Sequence, residues 1–162
     1  MHRARQHLDR GRRTLAFCTP GAGSGCSFIV ANLAVAFSQV GIRVLLVNAD
    51  MRQPGLDAFF GEAGDGPGLK QYLSDQGSGL GGVTLYEILP SLNLLPSGGQ
   101  AANAQELLSK PRFSMFIDQC LREFDLTLID SPPAGLYSEG GTVSGYFIDV
   151  VDTSWMRVWP AP

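Results

Sequence analysis

The sequence predicts an α/β fold, a parallel β-sheet with helices on both faces. Three observations predict it. Short runs rich in apolar residues at 14–18, 43–47 and 126–130 have strand length, and the second is continuous, as in a strand covered on both faces. A glycine-rich turn, Thr19-Pro20-Gly21-Ala22-Gly23-Ser24-Gly25, joins the first run to an apolar helix. Finally, Phe113, Phe116, Ile117, Cys120, Leu121 and Phe124 recur at helical spacing before the third run, marking one face of a helix laid on a sheet.

In chain order, residues 1–12 carry Arg3, Arg5, Arg10 and Arg12 with little apolar pattern, and read as a flexible basic lead-in. Strand 14–18 and the glycine turn lead into a helix from about Ser27 to Val40, ended by Gly41 in a left-handed cap. Strand 43–47 follows. Residues 54–82 alternate short helical pieces (56–60 and 69–74) with glycine-rich loops, and read as surface, partly mobile chain. A strand or edge segment at 86–89 and a firmer strand at 92–96 precede the amphipathic helix and strand 126–130, which ends in Asp130. Beyond residue 139 the glycines and the lack of periodicity predict at most one short strand on the sheet, around 147–151. Trp155 and Trp159 then cover a sheet edge or lie exposed. The domain reading is 1–12 lead-in, 13–138 main domain, and 139–162 a degenerate or truncated segment.

Composition narrows the function classes. At 162 residues the chain suits one core, and a formal net charge of −3 argues against a nucleic-acid partner. No apolar run is long enough to span a bilayer and no secretory leader is evident, which predicts a cytoplasmic location. Cys18, Cys26 and Cys120 lack metal-ligand spacing, and Cys18 and Cys120 read as small buried apolar residues.

All three segments able to do chemistry follow strand ends, where parallel α/β sheets bind ligands. Gly21, Ala22, Gly23, Ser24, Gly25, Cys26, Ser27 and Phe28 form a turn at a helix N-terminus, whose backbone N–H groups suit phosphate oxygens. Phosphate loops of the form G-x-x-x-x-G-K-[ST] occupy such turns, and here Cys26 stands in the lysine position. Ser27 falls where a hydroxyl ligates Mg²⁺, and Asp130 where a carboxylate holds that ion through water. The third segment is Asn48-Ala49-Asp50-Met51-Arg52-Gln53-Pro54.

Together with Asn93-Leu94-Leu95-Pro96-Ser97-Gly98, Glu106-Leu107-Leu108 and Leu128-Ile129-Asp130-Ser131-Pro132-Pro133, these segments make residues 13–138 resemble the cytoplasmic ATPase domain of bacterial tyrosine autokinases. Those enzymes control exopolysaccharide and capsule chain length. The resemblance implies a P-loop NTPase-like fold, incomplete here at its C-terminal end, with ATP and Mg²⁺ as cofactors. It assigns Asp50 as the catalytic carboxylate, Ser27, Asp50 and Asp130 to the metal, and residues 21–28 with Arg52 to the nucleotide. It implies a membrane-anchored polysaccharide co-polymerase or activator domain as partner, which would hold the chain at the inner face of the membrane. Without the family's later elements the sheet keeps an apolar surface, which predicts self-association into a homo-oligomer or a binding partner that covers it.

Two departures from the family pattern lower the expected activity. The second motif has the form D-x-D-x-R, and Asn48 replaces its first aspartate, removing a charge and a proton acceptor. Cys26 removes a cation that offsets charge developing in phosphoryl transfer. A weak or inactive kinase is therefore expected, with a non-catalytic pseudo-ATPase interaction module as the alternative. The related division-site and partition ATPases are disfavoured, because Gly21 occupies the place of their signature lysine. The family's C-terminal tyrosine cluster is not visible, since Tyr72, Tyr86, Tyr137 and Tyr146 are scattered.

Overall fold

The computed structural model describes residues 13–18, 25–52, 54–74, 85–131, 142–143, 146–147 and 149–152. The lead-in 1–12, the turn 19–24, and Trp155 and Trp159 lie outside these residues.

The chain runs β1 (Arg13–Cys18), α1 (Cys26–Gln39), β2 (Val44–Asn48), a 3-10 helix (Asp57–Ala63), α2 (Leu69–Ser74), β3 (Tyr86–Leu89) and β4 (Leu92–Leu95). It continues through α3 (Ala104–Leu108), α4 (Pro111–Glu123), β5 (Leu126–Asp130), β6 (Thr142–Val143), β7 (Tyr146–Phe147) and β8 (Asp149–Asp152). The main sheet has the order β3-β4-β2-β5-β1-β8, and β6 and β7 pair separately as an antiparallel hairpin. Every pairing in the main sheet is parallel except that of the edge strand β3 with β4. The strand expected around 147–151 is β8, docked parallel on β1.

The central strands β2 and β5 are buried along their whole length. Their side chains alternate between two separate cores, as the pleat of a strand dictates. Val44, Leu46, Leu126 and Leu128 pack with Cys26, Val30, Ala31 and Ala34 of the α1 layer. Leu45, Val47 and Ile129 pack on the other face with Leu69 and Leu73 of α2, Leu107 of α3, and Phe113, Phe116, Ile117 and Cys120 of α4. Helices on both faces follow from this division. Arg112 ties two of the covering helices together, its Nε donating to the Tyr72 carbonyl at 2.6 Å and its guanidinium lying 4.5 Å from the Tyr72 ring centre.

Local sequence accounts for most boundaries. Gly41 ends the α1 turn with φ 88°, as its left-handed cap requires. Helix α1 starts one residue earlier than expected, at Cys26, because Gly25 with φ 73° already forms its N-cap. Strand β2 extends one residue further, because Asn48 pairs in register with Asp130. The piece expected over 56–60 is a 3-10 helix over 57–63 with a break at Gly61 (φ 55°, ψ −131°).

The reading of 54–82 as surface chain needs correction over its described part. Leu56, Leu69, Tyr72 and Leu73 are at most 2% exposed, because the segment returns to the sheet, Leu56 entering the core under α1 and the other three the core on the opposite face. Gly68 permits this close return: a Cβ there would lie 1.9 Å from the Pro96 carbonyl oxygen. That carbonyl accepts the Leu69 N–H at 2.9 Å, fixing the start of α2 to the end of β4.

Candidate functional site

The three chemistry-bearing segments meet because β2, β5 and β1 are neighbours in the sheet and end at the same edge. Asp130 pairs in register with Phe17 on one side and Asn48 on the other. The Asp130 carbonyl accepts the Ala49 N–H at 2.8 Å, and the Ser131 N–H and hydroxyl both reach the Phe17 carbonyl at 3.0 Å. These bonds continue the ladder past the strand ends and hold the edge rigid.

Helix α1 starts against this edge. Its first internal bond joins the Ile29 N–H to the Gly25 carbonyl at 3.2 Å, so the N–H groups preceding Ile29 stand outside the helical ladder. Among the described residues no side chain caps the helix, and its first turn holds no acid. Ser27 Oγ donates to Asp130 Oδ2 at 2.6 Å. Burial pushes the Asp130 carboxyl up to about 6; the Ser27 hydrogen bond opposes the shift, and the charges of Asp50 and Asp57 add to it.

This arrangement fits a hard divalent cation. Ser27 and Asp130 offer two oxygens close together, in a field whose excess of negative charge such an ion would relieve. Among the described residues no cluster of three or more His, Cys, Asp or Glu side chains forms a protein-only metal cage. Mg²⁺ commonly takes only one or two carboxylates and completes its shell with water and phosphate.

Asp50 lies two residues beyond the end of β2. Its N–H donates to Asn48 Oδ1 at 3.0 Å, and its own Oδ1 accepts the Arg52 N–H at 3.2 Å. Arg52 is exposed. Its carbonyl accepts Gln100 Nε2 at 3.2 Å, and the Met51 carbonyl accepts the Ala101 N–H at 3.0 Å, so residues 50–52 are laced to the loop after β4.

Cys26 is 7% exposed and belongs to the apolar core beneath α1. Its burial argues against the reactive-thiol role that a helix N-terminus allows. Phe28 is 58% exposed, with its ring 6.0 Å from that of Phe59. Gly21, Ala22, Gly23 and Ser24 lie outside the described residues. Cys120 is buried, as expected, with its thiol pushed up by desolvation.

Sequence reasoning missed Asp57. Its carboxylate is buried at the centre of a polar cluster: Asn48 Nδ2 donates to Oδ1 at 3.0 Å, Ser97 Oγ to Oδ2 at 2.5 Å, and the Ser97 N–H approaches both oxygens at 3.3 and 3.2 Å. Ser97 Oγ in turn accepts the Gly99 N–H at 3.1 Å. Burial raises the Asp57 pKa, and the bonds from Ser97 and Asn48 oppose the rise. The available signal was an aspartate inside the apolar stretch Leu56-Asp57-Ala58-Phe59-Phe60, but nothing local shows that it points inward.

No protein-family model matches the chain. It is 35% identical over 127 residues to the tyrosine-protein kinase ptk of Acinetobacter johnsonii, covering 78% of this chain and 17% of that protein. It is 30% identical over 139 residues to the tyrosine-protein kinase CpsD of Streptococcus agalactiae, covering 86% of this chain and 60% of CpsD. The chain thus spans less than two thirds of either relative. Among solved structures it resembles the BceF tyrosine kinase domain, with 36% identity, a TM-score of 0.68, and coverage of 78% of this chain and 49% of that one. It also resembles a cobyrinic acid a,c-diamide synthase from Mycobacterium smegmatis solved with an ATP analogue and magnesium. There the identity is 26% and the TM-score 0.62, covering 77% of this chain and 52% of that one.

Proposed function

Because this chain is a homologue of bacterial tyrosine-protein kinases, we propose that it binds magnesium–ATP at the sheet edge where β1, β5 and β2 end, as a weakly active kinase domain. The observation that carries the reading is the hydrogen bond from Ser27 at the start of α1 to buried Asp130. It puts hydroxyl, carboxylate and helix N-terminus at one point, the combination that a metal-bound phosphate needs.

In this reading the backbone N–H groups of residues 21–28 bind phosphate oxygens. Ser27, Asp130 and Asp50 would hold Mg²⁺, which when bound offsets phosphate charge. Asp50 accepts the proton of the attacking tyrosine hydroxyl. Arg52, on the exposed side of the same loop, supplies positive charge toward the phosphates. Turnover is low because the cation at position 26 and the carboxylate at position 48 are missing.

The proposed setting is exopolysaccharide or capsule synthesis, with a membrane-anchored co-polymerase holding the domain at the inner membrane face. Among the described residues, no helix is long and apolar enough to cross a membrane. A second reading, a pseudo-ATPase that serves only to bind that partner, draws support from the burial of Cys26 and from the commitment of both Asn48 polar groups to protein partners. Calorimetric titration of Mg·ATP and Mg·ADP into the chain separates the two. Micromolar binding supports the nucleotide reading, and none at millimolar nucleotide supports the second.

A further inference from the structure

We propose that Asp57 is a positioning residue: through Asn48 it sets the orientation of the Asp50 loop, and Asn48 and Asp57 form a matched pair rather than a lone loss of a motif carboxylate. The inference rests on the magnesium–nucleotide reading of the site. Its basis is the direction of each hydrogen bond in the buried cluster.

An ionised carboxylate accepts hydrogen bonds and cannot donate them. Asp57 therefore forces the Asn48 amide to turn its Nδ2 inward, at 3.0 Å, and that leaves Oδ1 facing the Asp50 N–H, also at 3.0 Å. Asp57 is itself held by both donors of Ser97, in the loop whose Gln100 and Ala101 bond the carbonyls of Arg52 and Met51. One carboxylate thus sits where two loops are pinned together, and it decides which end of Asn48 meets Asp50. Asn48 is 0% exposed and Asp57 8%, so water is not at hand to repair a mismatch.

Each single replacement then fails for a different reason. In Asn48→Asp, the residue of the motif is restored, but two buried carboxylates confront one another and cannot both ionise. In Asp57→Asn, the new amide must turn a donor either toward the Ser97 N–H or toward Asn48 Nδ2. If Asn48 flips to relieve this, its own donor meets the Asp50 N–H. The exchange Asn48→Asp with Asp57→Asn gives every donor around the pair an acceptor again, the Ser97 N–H keeping only the nearer of its two contacts. The carboxylate now at position 48 accepts from the amide now at position 57 and from the Asp50 N–H, while the oxygen of that amide accepts from Ser97.

The test is a double-mutant cycle on the whole chain with two readouts, thermal unfolding and ADP affinity measured with and without Mg²⁺. Each single variant is expected to lower Tm by roughly 5 °C or more, and the exchange to recover most of that loss. The Mg²⁺ enhancement of ADP affinity is expected to fall about tenfold or more in Asp57→Asn and to return in the exchange, which a purely structural contact would not produce. Additive Tm losses, or an unchanged Mg²⁺ enhancement in Asp57→Asn, overturn the positioning role while leaving nucleotide binding intact. Failure of the unsubstituted chain to bind ADP with or without Mg²⁺ overturns the nucleotide reading, and coupling in Tm alone would then mark the pair as structural only.

Discussion

Ser27 and Asp130, 103 positions apart, meet at 2.6 Å where helix α1 starts over the end of β5. The bond brings an oxygen from the glycine-rich segment to an oxygen from the third buried strand. If this is the magnesium site, Ser27→Ala should weaken Mg·ADP binding about ten- to a hundredfold while changing the affinity for metal-free ADP little. Calorimetry with and without Mg²⁺ checks this, and equal losses in both would place Ser27 away from the metal.

The same carboxylate makes stability depend on pH. Asp130 has its folded pKa raised from 3.8 to about 6, so between those values the folded state binds more protons than the unfolded one. Stability therefore falls as pH rises from about 4 to about 6, and levels off above. The shift corresponds to roughly 3 kcal/mol. Asp57 is shifted in the same direction and adds to the slope. In metal-free buffer Asp130→Asn should flatten part of this slope and leave the protein at least as stable as the unsubstituted chain at about pH 7.5. Urea titrations at several pH values measure it, and an unchanged slope would mean that Asp130 titrates normally.

Cys26→Lys should raise ATP affinity about ten- to a hundredfold by restoring one charge-assisted contact. The structure adds a cost. Cys26 lies in the apolar core under α1, so the lysine must carry its ammonium outward and leave its stem against that core. A modest loss of Tm should accompany the gain in affinity. Unchanged affinity in a folded variant would mean that the turn does not hold phosphate.

Gly68→Ala should destabilise the chain by about 2 kcal/mol or more, because its Cβ would meet backbone rather than a yielding side chain. The neighbour is the Pro96 carbonyl, whose bond to the Leu69 N–H docks α2 against β4. Denaturant unfolding checks this, and a loss below half that size would mean the segment can shift freely.

The central sheet was legible in the sequence because strands buried on both faces need continuous apolar residues. Residues 126–130 match their expected bounds, and 43–47 is displaced by one residue at each end. Residue Asn48 escaped the pattern because its place in the strand depends on pairing with Asp130, which apolarity does not encode. The burial of Leu69 and Leu73 was missed for a related reason: glycines nearby suggest loops, and only Gly68 against Pro96 reveals the close packing they allow.

By itself the sequence determined the chemical inventory of the site: a glycine turn before a helix, Ser27 and Asp130 in place, and Cys26 and Asn48 as substitutions. Those are matters of residue type and local spacing. The tertiary structure decided what surrounds them. It turned Cys26 into the core, and it brought Ser97, 40 positions away, onto the buried Asp57 carboxylate that faces Asn48. Directional bonds between distant segments exist only once the sheet has ordered its strands, so which carboxylate accompanies Asn48 could not be read along the chain.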